Sequence, residues 1–584
     1  MKCVNQSFKA AALQFNPMLR EKKENINRLY RDAEAAFKNG AKLVVAPEMA
    51  TTGYLFKDRD DILPYVEPIP GTTTEFFSLL TSEYNSYIAF GMPEKDPATN
   101  IYYNTSVLIG PEGYVGKYRK IHLWEAEAHW AAMGDLGVPV FHTNIGNIAM
   151  NICMDSSYYE TARLAAIRGA DILAFHTNSS SQAISTLPAR AQQNGLYVIS
   201  ANRSNTENGF HMIGASAIWS PMGQKLAEGP YSPNEETDID QTHFIYGDID
   251  PKQYNNENKG LLISRRPELY KEIVQFIQPW DYTKNTDPKN VTALAVQYTP
   301  VSDKEANMAR VRELITRAVE ESDNPVKLIV LPELSFTGPV TDQFAHQLSE
   351  TNHGMSYEFV SELAKRFNTS IVFGIVEQDN DHLYNTALLI GKMGEIKGKY
   401  RKTHLNQEEQ NWAEAGSKLS VFEIEDLGRI GLLIGDDVLF PETYGSLAIQ
   451  RADILAIPTS WYGQYSGPRE INENISESKY PQNAIVLWDD VSIGAQAYTI
   501  FSNFVGGKYS FKGGSGLYTL DPYYGLDEPK IGSQNREEAI LVNFETIQQD
   551  HWFNQEKLTQ SRRPYFYMPL IVENTKVKDL DPIT

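Results

Sequence analysis

"GNIAMNICMDSSYYE", Gly146 to Glu160, and "GRIGLLIGDDVLFPE", Gly428 to Glu442, are one passage written twice, 282 positions apart. In register they share a glycine, two isoleucines, an aspartate and a glutamate. Each opens as an apolar run of strand length and closes on a Glu at the mouth of a helix. At one position the two part in chemistry, with Cys153 in the first and Gly435 in the second.

The repetition runs outward from there. "FKAAALQFNPM" answers to "VTALAVQYTPV", "AKLVVAPEMATTGY" to "VKLIVLPELSFTGP", "YYNTSVLIGPEGYVGKYRKIHL" to "LYNTALLIGKMGEIKGKYRKTHL" and "GADILAFHT" to "RADILAIPT". The offset is 285 at Glu48 and Glu333, and 282 at Lys120 and Lys402 and at Asp155 and Asp437. Both copies close on a matching tag, "SRRPELY" from Ser264 and "SRRPYFY" from Ser561. A near-constant offset across so many segments means duplication, and 584 residues exceed what one core ordinarily holds. The expected domains are residues 1–285 and 291–584, joined through "QPWDYTKNTDPKN", Gln278 to Asn290, whose composition suits an exposed linker.

Within a copy the hydrophobic period alternates. "FKAAALQF" and "KLVVAPE" read as strands flanking a helix over "EKKENINRLYRDAEAAFKNG", which places Ile26, Tyr30, Ala33 and Phe37 at helical spacing and stops at Gly40. "TTTEFFSLLTSEY" predicts a helix capped by its threonines, and "SYIAFGM", "NTSVLIG" and "YVGKYRK" predict strands, the last two joined by the turn "PEG". Past Cys153 come a helix at "YETARLAAIRG", the strand "ADILAFHT", a helix at "PARAQQNG" and the strand "LYVISANR". The pattern is layered α/β, with apolar strands that need helices against them.

Composition excludes several classes of function. A formal charge of −21 argues against a nucleic-acid or anionic-membrane partner, since phosphate binding needs excess Lys and Arg. No apolar run reaches the roughly 20 residues of a membrane helix, and the first residues lack a signal-peptide core, so a cytoplasmic protein is expected. The two cysteines, Cys3 and Cys153, make neither a disulfide framework nor a zinc site, and no metal or cofactor is expected.

Three reactive groups in the first copy end strand-like segments: Glu48 after "KLVVAP", Lys120 after "YVGKYR" and Cys153 after "IAMNI". Singly, each has an ordinary explanation in a solvated carboxylate, a surface lysine and a small buried hydrophobe. Together, thiol, carboxylate and ammonium are the parts of an amide-cleaving site, and a rigid sheet can aim them into one cleft. A thiolate is the nucleophile, a nearby ammonium lowers its pKa and a carboxylate within reach takes its proton.

"VVAPEM", "GKYRKIHLW" and "NICMDSSYYE" resemble the three motifs of the nitrilase superfamily of carbon-nitrogen hydrolases, and the resemblance spans essentially all of each half. It implies two tandem four-layer αββα sandwich domains and a Glu-Lys-Cys triad at Glu48, Lys120 and Cys153, with a second glutamate at Glu127 in "EAHW". An oxyanion would be met by Lys120 and the backbone N–H of Met154. The sequence departs from the family at Tyr158 and Tyr159, where Phe-Pro is common, and differs between copies at His176 and Ser179, which answer to Pro458 and Trp461. Asp155 and Glu160 read as scaffold favouring the helix N-terminus, and the arginines of the closing tags as anchors.

The second copy keeps Glu333, Lys402 and Glu409 but has Gly435 for the nucleophile, with Asp436 beside it able to pair with Lys402. It is expected to be a silent domain that pairs with the first as a built-in subunit, an internal pseudo-dimer open to further homo-oligomerisation. The expected function is hydrolysis of a small amide or carbamoyl compound through a Cys153 thioester, releasing ammonia or an amine. The same triad would serve a nitrile or pass the acyl group to an amine. A non-catalytic scaffold or binding protein is the alternative of a different class.

Overall fold

The structure is a computed structural model, and it describes residues 6–180, 182–276, 287–466, 484–520, 529–547 and 551–573. Cys3 and residues 278–286 of the expected linker lie outside the described residues. The chain forms two compact units, and their limits are not those of the repeats. One unit is Met1–Ser264 with Arg562–Thr584, the other Arg265–Ser561. Each closing tag is therefore counted with the unit built from the other repeat.

In the first unit the strands are β1 (Phe8–Gln14), β2 (Ala41–Val45), β3 (Tyr87–Lys95), β4 (Tyr102–Gly110), β5 (Gly113–Arg119), β6 (Val140–Thr143), β7 (Gly146–Ile152), β8 (Ile172–His176) and β9 (Tyr197–Ala201). One six-stranded sheet runs from His243–Ile249 through β1, β2, β3 and β4 to β5. Its centre is parallel, because the helix Lys22–Lys38 and the helix Thr72–Tyr84 make the crossovers, and its flanks are antiparallel. The second sheet runs from Lys225–Glu228 through Ala217–Trp219, β9, β8 and β7 to β6, again with a parallel centre. The sheets pack face to face, β1 over β9 and β3 over β8, and the helices Tyr159–Ile167 and Gln182–Asn194 cover the outside of the second. This is the expected αββα order.

The core follows from the sequence period. Leu29, Ala33, Ala36 and Phe37 put one face of the first helix on the sheet, and Gly40 ends that helix at φ +89, in the left-handed region that glycine enters without steric cost. Two local expectations are corrected. The helix at Thr72–Tyr84 is capped by Gly71, and Thr74 reaches back to accept the Gly71 N–H at 2.8 Å instead of standing at the cap itself. The helix expected from Pro188 begins at Gln182 and carries Pro188 inside it, since the burial of Leu187, Ala189 and Ala191 outweighs one missing backbone donor.

The second unit repeats the plan. One sheet runs Ile396–Arg401, His382–Ile390, Ser370–Asp379, Leu328–Val330, Asn290–Gln297, Glu538–Glu545, and the other Val421–Ile424, Gly428–Leu432, Ile454–Pro458, Tyr498–Ser502, Gly516–Tyr518, Lys530–Ile531. Among the described residues no helix is long and apolar enough to cross a membrane.

Candidate active site

One residue past the end of β5, the backbone of Lys120 still donates to the Asn104 carbonyl on β4 at 2.9 Å, so the lysine is aimed by the sheet. The strand's period of two sorts "KYRK" into two faces. Lys117 and Arg119 grip buried Glu94 at 2.5 Å each, which pins β5 to β3. Tyr118 and Lys120 turn the other way, into the space between the sheets.

There Lys120 Nζ donates to Glu48 Oε1 at 2.8 Å and to Glu127 Oε2 at 2.5 Å. All three side chains are buried. Asn104 Nδ2 bridges the same two carboxylates, at 2.7 Å to Glu48 and 2.5 Å to Glu127. Glu48 Oε2 accepts the Asn178 backbone N–H at 3.1 Å. Burial disfavours the charge on Lys120, but the Glu127 and Glu48 carboxylates outweigh it and hold the ammonium above the ordinary lysine range. Burial raises Glu48 to about 7, against the pull of Lys120.

β3 approaches this loop so closely that only a glycine fits. A Cβ on Gly91 would stand 2.6 Å from the Met49 nitrogen and 2.7 Å from the Glu48 Cα. His176, at the end of β8, braces the loop from the other sheet by a 2.7 Å bond between its Nδ1 and the Ala46 carbonyl, and burial lowers its pKa to about 4, so it is neutral.

Cys153 opens the short 3₁₀ turn Cys153–Ser157 directly after β7, at φ +45. It is partly exposed, whereas the glutamates and lysine around it are not. The left-handed conformation is strained for any residue with a Cβ, and such strain gathers at functional turns. Lys120 does pull the thiol pKa down, as expected, but burial and then the Glu48 charge outweigh it and Thr177 together and push Cys153 up to about 12. The ammonium is already shared between two carboxylates, which leaves little net positive field at the sulfur.

The turn itself is held by Asp155. Its carboxylate accepts the Tyr118 hydroxyl at 2.6 Å, the Ile152 N–H at 3.0 Å, the His122 N–H at 3.0 Å and His122 Nδ1 at 2.9 Å. Asp155 is thus scaffold, by side-chain bonding and not merely by sitting near a helix end. Tyr158 stacks on the His122 ring at 3.7 Å, as Phe440 stacks on His404 at 4.0 Å, so this departure from Phe keeps the packing. Glu442 lies in the first turn of its helix but also forms a 2.9 Å ion pair with Arg265, both fully buried. The tag arginine is an anchor as expected, with its partner in the other repeat.

In the second unit Lys402 Nζ meets Glu333 at 2.9 Å, Glu409 at 2.8 Å and, additionally, Asp436 at 2.9 Å. Asn385 bridges Glu333 and Glu409 at 2.7 Å each, as Asn104 does in the first unit. Gly435 keeps the left-handed backbone, φ +43. A Cβ there would stand 2.7 Å from Glu333 Oε2, which is held by the Ser460 hydroxyl at 2.6 Å. The glutamate stands in the space that a side chain at this position would need. Burial raises Glu409 to about 8, with Lys402 opposing and Glu333 and Asp436 adding to the rise.

The sequence profile described as carbon-nitrogen hydrolase matches residues 9–256 and again 292–519. The chain belongs to the carbon-nitrogen hydrolase family. Among curated relatives, a nitrilase of Pyrococcus abyssi is 38% identical over 264 residues, 45% of this chain and 98% of its own length. A citrullinase of Francisella tularensis is 29% identical over 276 residues, 43% of this chain and 93% of its own. Among solved structures, a nitrilase-superfamily protein of Saccharomyces cerevisiae is 26% identical with a TM-score of 0.40, covering 45% of this chain and 96% of its own.

The structure brings Glu48, Lys120 and Glu127 into direct contact, and Cys153 and Met154 onto the adjoining turn. Sequence reasoning passed over Asn104 and His122. Asn104 had a signal, since "YYNT" and "LYNT" repeat it at matched positions. His122 had the same signal in "KIHL" and "KTHL".

Proposed function

We propose that the first unit is an amidase-type hydrolase that cleaves the C–N bond of a small amide or carbamoyl compound, with Cys153 as nucleophile. The observation that carries this reading is the fully buried Glu48–Lys120–Glu127 cluster beside a strained, partly exposed cysteine. Glu48 Oε1 is occupied by Lys120 and Asn104, while Oε2 accepts only one backbone N–H in the described contacts, so Oε2 is the oxygen with capacity for a proton.

Sγ attacks the carbonyl carbon as its proton passes to Glu48, and the carbonyl oxygen takes the negative charge. The thiol starts neutral, so transfer accompanies attack and no resting thiolate is needed. Lys120 and the Met154 N–H stabilise the oxyanion. Collapse expels ammonia or an amine, which takes the proton from Glu48 and leaves a thioester on Cys153. Water attacks the thioester, gives a proton to Glu48, and the acid leaves as sulfur regains that proton. Glu127 holds Lys120 in place through its 2.5 Å contact.

The second unit has no nucleophile at Gly435 and runs none of these steps. The Pyrococcus relative, named a nitrilase, favours a second reading for the same site, in which a nitrile carbon is attacked first. The citrullinase favours the carbamoyl reading. An ammonia-release screen over aliphatic amides, ureido compounds and nitriles, run on wild type and Cys153→Ala, tests both. Release by wild type alone is expected with amides or ureido compounds. Equal release by Cys153→Ala overturns the mechanism, and release from nitriles alone transfers the proposal to nitrile hydrolysis.

A further inference from the structure

We infer that Tyr567, in the tag that closes the second repeat, is a positioning residue for Cys153. The inference rests on the hydrolase reading above and adds a residue to it more than 400 positions from the thiol. Tyr567 is fully buried in the first unit, and its hydroxyl lies 3.0 Å from His122 Nε2. The line continues from His122 Nδ1 to Asp155 at 2.9 Å, and from Asp155 to the Ile152 N–H at 3.0 Å, one residue before the nucleophile.

The proton inventory gives the line one direction. Asp155 faces four donors, so as a carboxylate it accepts from His122 Nδ1–H. Burial keeps His122 below the usual histidine range, so the ring is neutral and Nε2 carries a lone pair. That lone pair is buried and needs a donor. Tyr567 supplies it. Without the hydroxyl, the preference for this tautomer and ring orientation weakens, and the carboxylate that ties down Ile152 loses its fixed partner. The turn it governs holds a cysteine at φ +45, a conformation that surrounding bonds have to impose.

The second unit contains a corresponding line with its purpose removed, in which Thr403 Oγ1 also lies 2.9 Å from His404 Nδ1 where the first unit has Ile121. Tyr270, in the first repeat's tag, lies 2.7 Å from His404 Nε2, His404 Nδ1 lies 3.1 Å from Asp437, and Asp437 accepts the Ile434 N–H at 3.0 Å. The residue that follows is Gly435, which adopts positive φ without needing a brace. One hydroxyl therefore affects turnover and its twin only packing. This also gives a physical reason why a repeat without a nucleophile persists: it carries the tag that completes the active unit.

The matched pair makes the test. Tyr567→Phe and Tyr270→Phe, each in the full chain, remove one hydroxyl from equivalent places. Three quantities are read: kcat and KM on a substrate from the ammonia-release screen, the rate of Cys153 alkylation by iodoacetamide followed by peptide mapping to exclude Cys3, and Tm. For Tyr567→Phe, kcat should fall roughly ten-fold with KM within about two-fold, the size expected when a reacting atom is misplaced by a fraction of an ångström, and the alkylation rate should change with it. Tyr270→Phe should lower Tm to a similar extent while leaving kcat and alkylation at wild-type values. Equal kcat in the two variants overturns the inference. Should Tyr567→Phe not fold, His122→Gln interrupts the same line nearer the thiol and is read the same way. The two proposals fail separately: activity in Cys153→Ala defeats the hydrolase mechanism, whereas an inactive Cys153→Ala with a wild-type Tyr567→Phe defeats only the positioning role.

Discussion

Glu48 can take a proton only when it is ionised, and burial raises it to about 7, well above an ordinary glutamate. The sign follows directly: on lowering the pH, the base is lost near 7 instead of near 4.5, so kcat/KM should rise with pH through a limb centred near 7. A profile measured between pH 5 and 9 that stays flat to below pH 5 would remove Glu48 from the role of base. The cysteine and its glycine counterpart make a second contrast at this scale. Cys153→Ala should keep the fold and lose turnover, because a methyl group tolerates the turn no worse than the thiol does. Gly435→Ala should do the reverse. It puts a Cβ at φ +43 and 2.7 Å from Glu333 Oε2, so it should cost about 1–3 kcal/mol of stability, read as a lower Tm, with turnover per Cys153 unchanged. Lost turnover in Gly435→Ala would mean that the Gly435 site influences the Cys153 site.

Strands decide which side chains meet, and the contact between β3 and the Glu48 loop is an example. Gly91→Ala would press a methyl group against backbone atoms that have no rotamer to yield, so Glu48 has to shift, and kcat should fall at least ten-fold. Gly374→Ala makes the matching clash in the second unit, 2.4 Å from the Leu334 nitrogen, and should cost stability alone; equal losses of kcat in both variants would show that the effect is general unfolding. The same elements explain what could be read from sequence. Glu48, Lys120 and Cys153 could be picked out as candidates because each directly follows a strand-like segment, and a strand end is a predictable place. The alternation of "KYRK" also carried the separation of Lys120 from Lys117 and Arg119, though two faces with opposite environments only became distinct once Glu94 was seen beneath one of them. Pro188 inside a helix and Gly71 as a cap were not legible, since both depend on tertiary burial that overrides local preference. The raised thiol pKa was missed for a related reason: sequence shows an ammonium near a cysteine, but not the burial that is the largest cause of the rise.

For the whole molecule, duplication and fold were legible and the course of the tags was not. "SRRPELY" and "SRRPYFY" are nearly the same words, so nothing in them says which repeat each will meet. In the structure the chain leaves the first unit at Ser264, passes through the second, and returns at Arg562. Arg265 then pairs with Glu442, and Tyr567 reaches His122. A fragment of residues 1–285 consequently lacks the residues that complete its own unit, and it carries a tag that in the full chain is placed elsewhere. We expect this fragment to be inactive or aggregated as a monomer, and to regain activity only as a homodimer in which each copy's "SRRPELY" takes the place of "SRRPYFY" in its twin. Light scattering coupled to size exclusion, with ammonia release assayed across the peak, would reveal whether activity follows the dimer. The decisive variant is Tyr270→Phe. In the full chain it lies in the unit that has Gly435 at the cysteine's position and should leave kcat alone, but in the dimeric fragment it would stand beside His122 and should lower kcat as Tyr567→Phe is expected to do in the full chain. A soluble, fully active monomer of residues 1–285 would refute the tag's role, because that species has no Tyr567 at all.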